Sequence, residues 1–353
     1  MIPIVIPSYE PDERFPAILE DIDRAGMGPV IVVDDGSGTD YGHFFEDAER
    51  IITRLGGVVL HHEVNKGKGR ALKTAFTYIL EKMPDAAGCI TADSDGQHSV
   101  ECINKCMDAL KEHPDSLILG VRDFSGEDVP VKSRFGNNLT AKICNYLCGV
   151  KVTDTQTGLR GIPRGFMAEL LDVEGERFEF ETRMLIATKD RYPILEVPIK
   201  TIYDSKENHQ THFNPIKDSI RIYRIFGVIF AKFLFSSLSS CLIDLALFHI
   251  FCLAFSEIIN APLYATVATV GARILSASYN YLVNYKFVFG SGKKHTSSFP
   301  RYVVLAVIQM CLSAGLVTLF VWFFPGVREL WFKIPVDVVL FIMSFYIQRR
   351  FVY

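Results

Sequence analysis

The sequence predicts a soluble α/β, Rossmann-like head followed by an all-α membrane domain of four transmembrane helices. Three observations carry this: short apolar strands that end in acidic or proline-bearing loops, a helix-spaced apolar run between the first two, and four long apolar stretches in the last third. Ile2-Pro3-Ile4-Val5-Ile6 reads as a buried strand breaking at Pro7-Ser8-Tyr9, and Pro29–Val33 as a second, ending in Asp34-Asp35-Gly36-Ser37. Phe15, Ile18, Leu19 and Ile22 recur at helical spacing between them. Strand, helix, strand with near-continuous apolar strands argues for a parallel sheet.

A third apolar run, Cys89-Ile90-Thr91-Ala92, ends in Asp93-Ser94-Asp95-Gly96-Gln97. Two carboxylates and a carboxamide at alternate positions can converge on one hard cation, and oxygen ligands suit Mg²⁺ or Mn²⁺. A polar turn with solvated acids has the same composition. The neighbouring strand ends favour the cation, because ligands of such sheets bind outside the carboxyl ends of the strands. Pro7-Tyr9-Glu10, Asp34-Asp35 and Asp93-Asp95-Gln97 all fall there, so one crevice receives all three.

Composition divides the chain. Its 353 residues carry a net charge of −3 and are 49% hydrophobic, and the mean hydropathy of +0.21 is high for a wholly soluble enzyme. From Ile225 onward ten bases face four acids, so that part is at +6 and residues 1–224 hold −9. An acidic head on a basic, apolar tail excludes a nucleic-acid binder. The eight cysteines lack metal spacing and read as reduced thiols of a cytosol-facing domain, and no cleavable signal peptide is expected before the first strand.

The apolar stretches are 228–255, 263–283, 302–324 and 330–347, the third uncharged throughout. The third is long enough to cross a hydrocarbon core of about 30 Å, and the others, with isolated ionisable groups, are too long and apolar for ordinary core helices. Lys286, Lys293, Lys294 and Arg301 join the second to the third, and Arg349-Arg350 follows the fourth, whereas 256–262 and 325–333 are nearly neutral. The positive-inside rule then makes the head and both termini cytoplasmic. This gives a head over 1–212, an interfacial amphipathic helix or linker over 213–227, and a membrane domain over 228–353. The endings Asn284-Tyr285-Lys286-Phe287-Val288-Phe289 and Gln348-Arg349-Arg350-Phe351-Val352-Tyr353 predict two related hairpins. Asp244 and Arg273 come out at similar depth and predict a buried ion pair between the first two spans. Basic and apolar residues alternate at helical spacing over 132–147 and 214–226, as in helices that lie in a membrane interface.

Ile6-Pro7-Ser8-Tyr9-Glu10, Val33-Asp34-Asp35-Gly36-Ser37, Asn65-Lys66-Gly67-Lys68-Gly69-Arg70-Ala71 and Ala92-Asp93-Ser94-Asp95-Gly96-Gln97-His98 follow the order seen in family 2 glycosyltransferases. Over roughly residues 1–225 the chain resembles the dolichol-phosphate mannose synthase and polyprenyl-phosphate glucosyltransferase group. The tail resembles the GtrA-like membrane domain. The resemblance implies a GT-A fold, a nucleotide-sugar donor and a divalent metal. It places Pro7, Tyr9, Glu10, Asp34, Asp35, Asn65 and Lys68 at the nucleotide, and Asp93, Asp95 and Gln97 at the metal and diphosphate. Arg122 and Arg134 match positions that grip a lipid phosphate. The first loop departs from the family, with Glu10-Pro11 where Asn-Glu is usual. Asp154–Arg160 and Phe178-Glu179-Phe180-Glu181 resemble segments lining the acceptor side.

The function expected is metal-dependent, inverting transfer of a hexose from GDP-mannose, UDP-glucose or UDP-GlcNAc to dolichyl or undecaprenyl phosphate. The setting is the cytoplasmic leaflet of a prokaryotic plasma membrane, and self-association into a homo-oligomer is left open. A phosphate acceptor is already an anion, which fits a head without an obvious catalytic His–carboxylate pair. The alternatives are a lipid-linked sugar flippase tethered by the head, and a processive polysaccharide synthase. The Gln-X-X-Arg-Trp motif of such synthases is missing: both tryptophans, Trp322 and Trp331, lie in the tail.

Overall fold

A computed structural model of the chain describes residues 1–122, 131–189, 191–200, 214, 216–255, 263–289, 294–324 and 330–353. The chain forms two compact units, Met1–Asn145 with Val150–Tyr223, and Tyr146–Gly149 with Arg224–Tyr353. His209-Gln210-Thr211-His212-Phe213, which the sequence reads as a mobile loop over the donor, lies outside the described residues.

The first unit is built on a seven-stranded sheet among the described residues, ordered β3-β2-β1-β4-β6-β5-β7. Its strands are β1 (Ile4–Ser8), β2 (Val30–Asp34), β3 (Val58–His61), β4 (Gly88–Thr91), β5 (Leu117–Arg122), β6 (Arg160–Pro163) and β7 (Ile194–Ile199). Around them run α1 (Arg14–Arg24), α2 (Gly42–Arg54), α3 (Lys68–Lys82), α4 (Val100–Glu112), α5 (Val131–Cys148), α6 (Arg164–Leu170) and α7 (Glu179–Ala187). The spacing that predicts α1 is the one it buries: Phe15, Ile18, Leu19 and Ile22 pack against Ile4, Ile6, Val30 and Val32.

Most pairings are parallel, as the apolar strands predict, but β6 runs antiparallel to both β4 and β5. The reason is where the chain re-enters. β5 ends at Arg122, and after α5 the loop returns to that same end, where Asp154 meets Arg122 and Thr157 Oγ1 donates to Gly120 O at 2.6 Å. A strand entering from the carboxyl edge can only run back down the sheet. The insertion places 154–160 beside the crevice instead of on its far side. Strand order reverses between β1 and β4, the switch point at which open α/β sheets receive ligands.

The second unit is helical. The helix α8 (Lys217–Phe255) takes in both the expected interfacial segment and the first apolar stretch. At 1.5 Å per residue it is about 58 Å long, and the boundary between the units falls within it, without a separate linker. Among the described residues α8 alone is a helix long and apolar enough to cross a membrane. After it come α9 (Leu263–Val283), α10 (His295–Phe323) and α11 (Leu330–Ile347). Wide π-helical turns, Asn284–Val288 and Gln348–Val352, close α9 and α11. Of the apolar residues expected at a membrane interface, Phe135, Leu139, Ile216 and Ile220 are exposed, whereas Phe226 is buried.

The two hairpins repeat one another in their contacts as well as their endings. Ser240 Oγ donates to Ser276 O across the first, and Gln309 Nε2 to Leu340 O across the second. Asn284 donates to Asn280 Oδ1, Gln348 donates to Ser344 Oγ, and Asn284 Nδ2 reaches Gln348 Oε1 at 3.0 Å. Asn284→Ala removes two of these bonds from a fully buried site and should destabilise the tail by about 1–2 kcal/mol, read as earlier unfolding in detergent titration. The Asp244–Arg273 pair forms at 3.2 Å, but it is not buried as expected: the acid is only partly covered. Ser276 Oγ holds Asp244 inward at 2.7 Å, while the arginine side chain is 69% exposed.

Candidate active site

The first three strands end level, with Ser8, Asp34 and His61 in register. Their loops are stitched together. Asp35 N–H donates to Ser8 O at 2.8 Å, Ser37 N–H to Asp34 Oδ1 at 2.9 Å, and Glu10 N–H to Ser37 Oγ at 2.9 Å. Glu10 adopts a left-handed φ of 47°, a conformation that β-carbon crowding disfavours and that these contacts hold. The Tyr9 hydroxyl shares a hydrogen bond with Glu10, which together with burial raises the phenol above its ordinary range.

Asp35 is buried and fully engaged. Its carboxylate accepts from His62 Nδ1 at 2.7 Å, Lys66 N–H at 3.0 Å and Gly67 N–H at 2.7 Å. The other ring nitrogen of His62, Nε2, pairs with Thr74 Oγ1 on α3 at 2.9 Å. Asp35 thus fixes the loop that opens α3, where a negative charge is favoured by the helix dipole. Gly36 permits this closeness, since a Cβ there would run into the backbone of Val64 and Asn65. Asp34 is held by His61 Nδ1 at 3.0 Å. Both acids of the pair serve as framework for these loops; Tyr9, Glu10 and Asn65 lie on them and Lys68 starts α3, whereas Pro7, expected to break the strand, stays within β1, paired with Val33.

The turn after β4 carries the acidic centre. Asp95 Oδ1 accepts Gln97 N–H at 3.1 Å, closing a tight turn that keeps Asp93, Asp95 and Gln97 together. Lys68 Nζ lies 2.6 Å from Asp93 Oδ1 and 2.9 Å from Glu181 Oε1. His98 Nε2 stands 3.7 Å from the other Asp93 oxygen. Burial alone would raise the Asp93 carboxyl, but Lys68 and His98 outweigh it and hold the group well below the usual carboxylate range. Burial and the charge on Asp93 push Asp95 the other way. Two carboxylates that repel one another beside a carboxamide form an all-oxygen donor set that a hard divalent cation fits, and the Lys68 ammonium is already drawn to it.

Gly158 backs Asp93 so closely that a Cβ would collide with both carboxylate oxygens. Gly158→Ala must therefore turn Asp93 out of place, and turnover should fall about 100-fold, since a shift near 1 Å costs that much. Steady-state kinetics on folded protein tests it.

At the end of β5 Arg122 forks onto Asp154, Nε to Oδ2 at 2.7 Å and Nη2 to Oδ1 at 3.0 Å. Asn137 of α5 donates to Thr153 O and accepts from Thr155 N–H, clasping the same loop. Arg134, also on α5, is half-buried. Arg160 is buried: its guanidinium donates to the carbonyls of Thr157 at 2.9 Å, Glu181 at 2.8 Å and Thr155 at 3.4 Å. Burial lowers its affinity for the proton, while Glu181, Asp154 and Asp93 oppose that. Sequence reasoning missed His62, Asp154, Arg160 and Glu181 as site residues. The last three lie in segments that resembled the acceptor side, but a local motif does not state their partners.

Residues 4–171 match the model of glycosyl transferase family 2, and residues 232–353 that of the GtrA/DPMS transmembrane domain. The head is a family 2 glycosyltransferase domain. With this tail, the chain is a membrane protein. The glycosyltransferase head accounts for the curated relatives. A UDP-N-acetylglucosamine–dolichyl-phosphate N-acetylglucosaminyltransferase of Methanococcus voltae is 28% identical over 58% of this chain and 86% of its own length. A dolichyl-phosphate hexose transferase of Haloferax volcanii is 29% identical, over 56% and 80%. Among solved structures, a mannosyltransferase from Pyrobaculum calidifontis in complex with GDP-Man and Mn²⁺ covers 99% of this chain and 86% of its own, at 12% identity and a TM-score of 0.42.

Proposed function

We propose that this glycosyltransferase moves a hexose, with inversion, from a nucleotide sugar to a polyprenyl phosphate at the cytoplasmic face of the membrane. The observation that carries the reading is the presence of two unlike charge centres at the carboxyl ends of β4 and β5. The acidic turn 93–97 follows β4, and the Arg122–Asp154 fork follows β5, with β6 between them. The first suits a cation-bound diphosphate and the second a phosphate monoester. The names of the Methanococcus and Haloferax relatives support the same acceptor class.

Asp93, Asp95 and Gln97 would hold Mg²⁺ or Mn²⁺, which when bound offsets charge developing on the departing diphosphate. Lys68 adds a second positive charge beside Asp93. Arg122, kept planar and aimed by Asp154, together with Arg134 would orient the acceptor phosphate. One of that phosphate's oxygens attacks the anomeric carbon in line, the bond from that carbon to the donor phosphate breaks on the far side, and no proton has to be removed. Pro7 and the donor loops of Tyr9, Glu10 and Asn65 would take the nucleoside, with Asp34 and Asp35 fixing them from behind. The four apolar stretches would cross the bilayer with the head and both termini on the cytoplasmic side.

Purified protein incubated with Mn²⁺, a polyprenyl phosphate and each of GDP-mannose, UDP-glucose and UDP-GlcNAc tests the reading. A lipid-monophosphate sugar from one donor is the expected result. Release of free sugar or a growing polymer, with no charged lipid product, would overturn it.

A further inference from the structure

Glu181 is a buried carboxylate on α7 that forms an ion pair with Lys68 at 2.9 Å, with the Arg160 charge also acting on it. Lys68 in turn bridges Glu181 and Asp93, with only 15% of its side chain exposed. Two further features hold the carboxylate where it is. Arg160 grips the Glu181 carbonyl at 2.8 Å. The Lys68 ammonium also lies 5.8 Å from the Phe178 ring, which narrows the directions it can take. A lysine is a flexible stem carrying a compact charge, so it can leave one carboxylate without leaving the other.

This geometry bears on how the acidic turn accepts a cation, and it rests on the reading of that turn given above. While Lys68 sits on Asp93 Oδ1, that oxygen is occupied by an ammonium. We propose that Glu181 is a positioning residue: it retains the Lys68 ammonium beside the acidic turn when a divalent cation takes over Asp93, so that Lys68 is held ready for the diphosphate of the donor. Lys68 is then a competitor of the metal in the empty site and a partner of the diphosphate in the filled one. Without Glu181 the ammonium has Asp93 as its remaining carboxylate, and once displaced from it has nothing to hold it near the diphosphate.

The two roles give opposite signs, which makes the test sharp. In the absence of nucleotide, Lys68→Met should bind Mn²⁺ about tenfold more tightly than wild type, read by electron paramagnetic resonance of free Mn²⁺. At saturating Mn²⁺, Lys68→Met and Glu181→Gln should each weaken GDP or UDP binding by about tenfold, read by calorimetry. In the Lys68→Met background, Glu181→Gln should weaken it no further. A carboxylate acting only through its own charge would do the reverse, since removing it favours an anion in either background. Tighter or unchanged diphosphate binding in Glu181→Gln, or a loss that persists once Lys68 is gone, would refute the positioning role. So would unchanged or weaker Mn²⁺ binding in Lys68→Met. Mn²⁺ binding that survives Asp95→Ala counts against the metal reading itself, and is thereby told apart from a failure of this one. Retained Mn²⁺ binding in each variant reports that the head has folded.

Discussion

Asp95→Ala lowers sugar transfer by about 1,000-fold or more while the protein still folds and inserts. The magnitude follows from the work asked of the site: neutralising a leaving diphosphate contributes several kcal/mol to the barrier, and each 1.4 kcal/mol is tenfold in rate. Asp95 suits this test better than Asp93. Asp93 is tied to Lys68 and His98, so its removal disturbs packing and charge together. Asp95 makes its described hydrogen bond only to Gln97 N–H, within its own turn. Turnover assays should be run beside thermal unfolding and membrane fractionation. Near-normal turnover in a folded variant would move the metal elsewhere.

Arg160→Met destabilises the head by about 3–5 kcal/mol, the range for breaking a buried charged network by removing one partner. Three carbonyls, of Thr155, Thr157 and Glu181, lose a donor they cannot replace with water. The carboxylates of Asp93, Asp154 and Glu181 lose a buried positive charge as well. Arg160→Lys keeps the charge but not the fork and should fall between the two. Equilibrium unfolding in urea measures both, and a methionine variant as stable as wild type would show that the arginine carries no structural load.

The strand ends and the acidic turn were legible because their signals are local. An apolar run that stops at acids states both a strand and its carboxyl end, and Asp93, Asp95 and Gln97 are brought together by one turn. The spacing of Phe15, Ile18, Leu19 and Ile22 likewise names the face that α1 buries. What was not legible depends on pairing across the sheet. Lys68 with Glu181, Arg122 with Asp154 and Arg160 with its three carbonyls each join distant segments, and nothing in a single segment names its partner. The reversal of β6 was hidden for a related reason: four residues, Arg160-Gly161-Ile162-Pro163, hold a charge, a glycine and a proline, which is poor strand chemistry. Asp35 reads as a nucleotide contact by resemblance; in the structure its carboxylate accepts from His62, Lys66 and Gly67, partners that the motif does not name.

The backward course of β6 also separates what such a protein must keep from what it can vary. The loops after β1, β2 and β3 belong to one half of the crevice, and Arg122 with the loop from Asp154 to Arg160 belongs to the other. Between them stands the turn after β4, common to both. On the proposed reading, a lineage could exchange its acceptor by rewriting the segments around Arg122 and 154–160 while its choice of donor is inherited untouched.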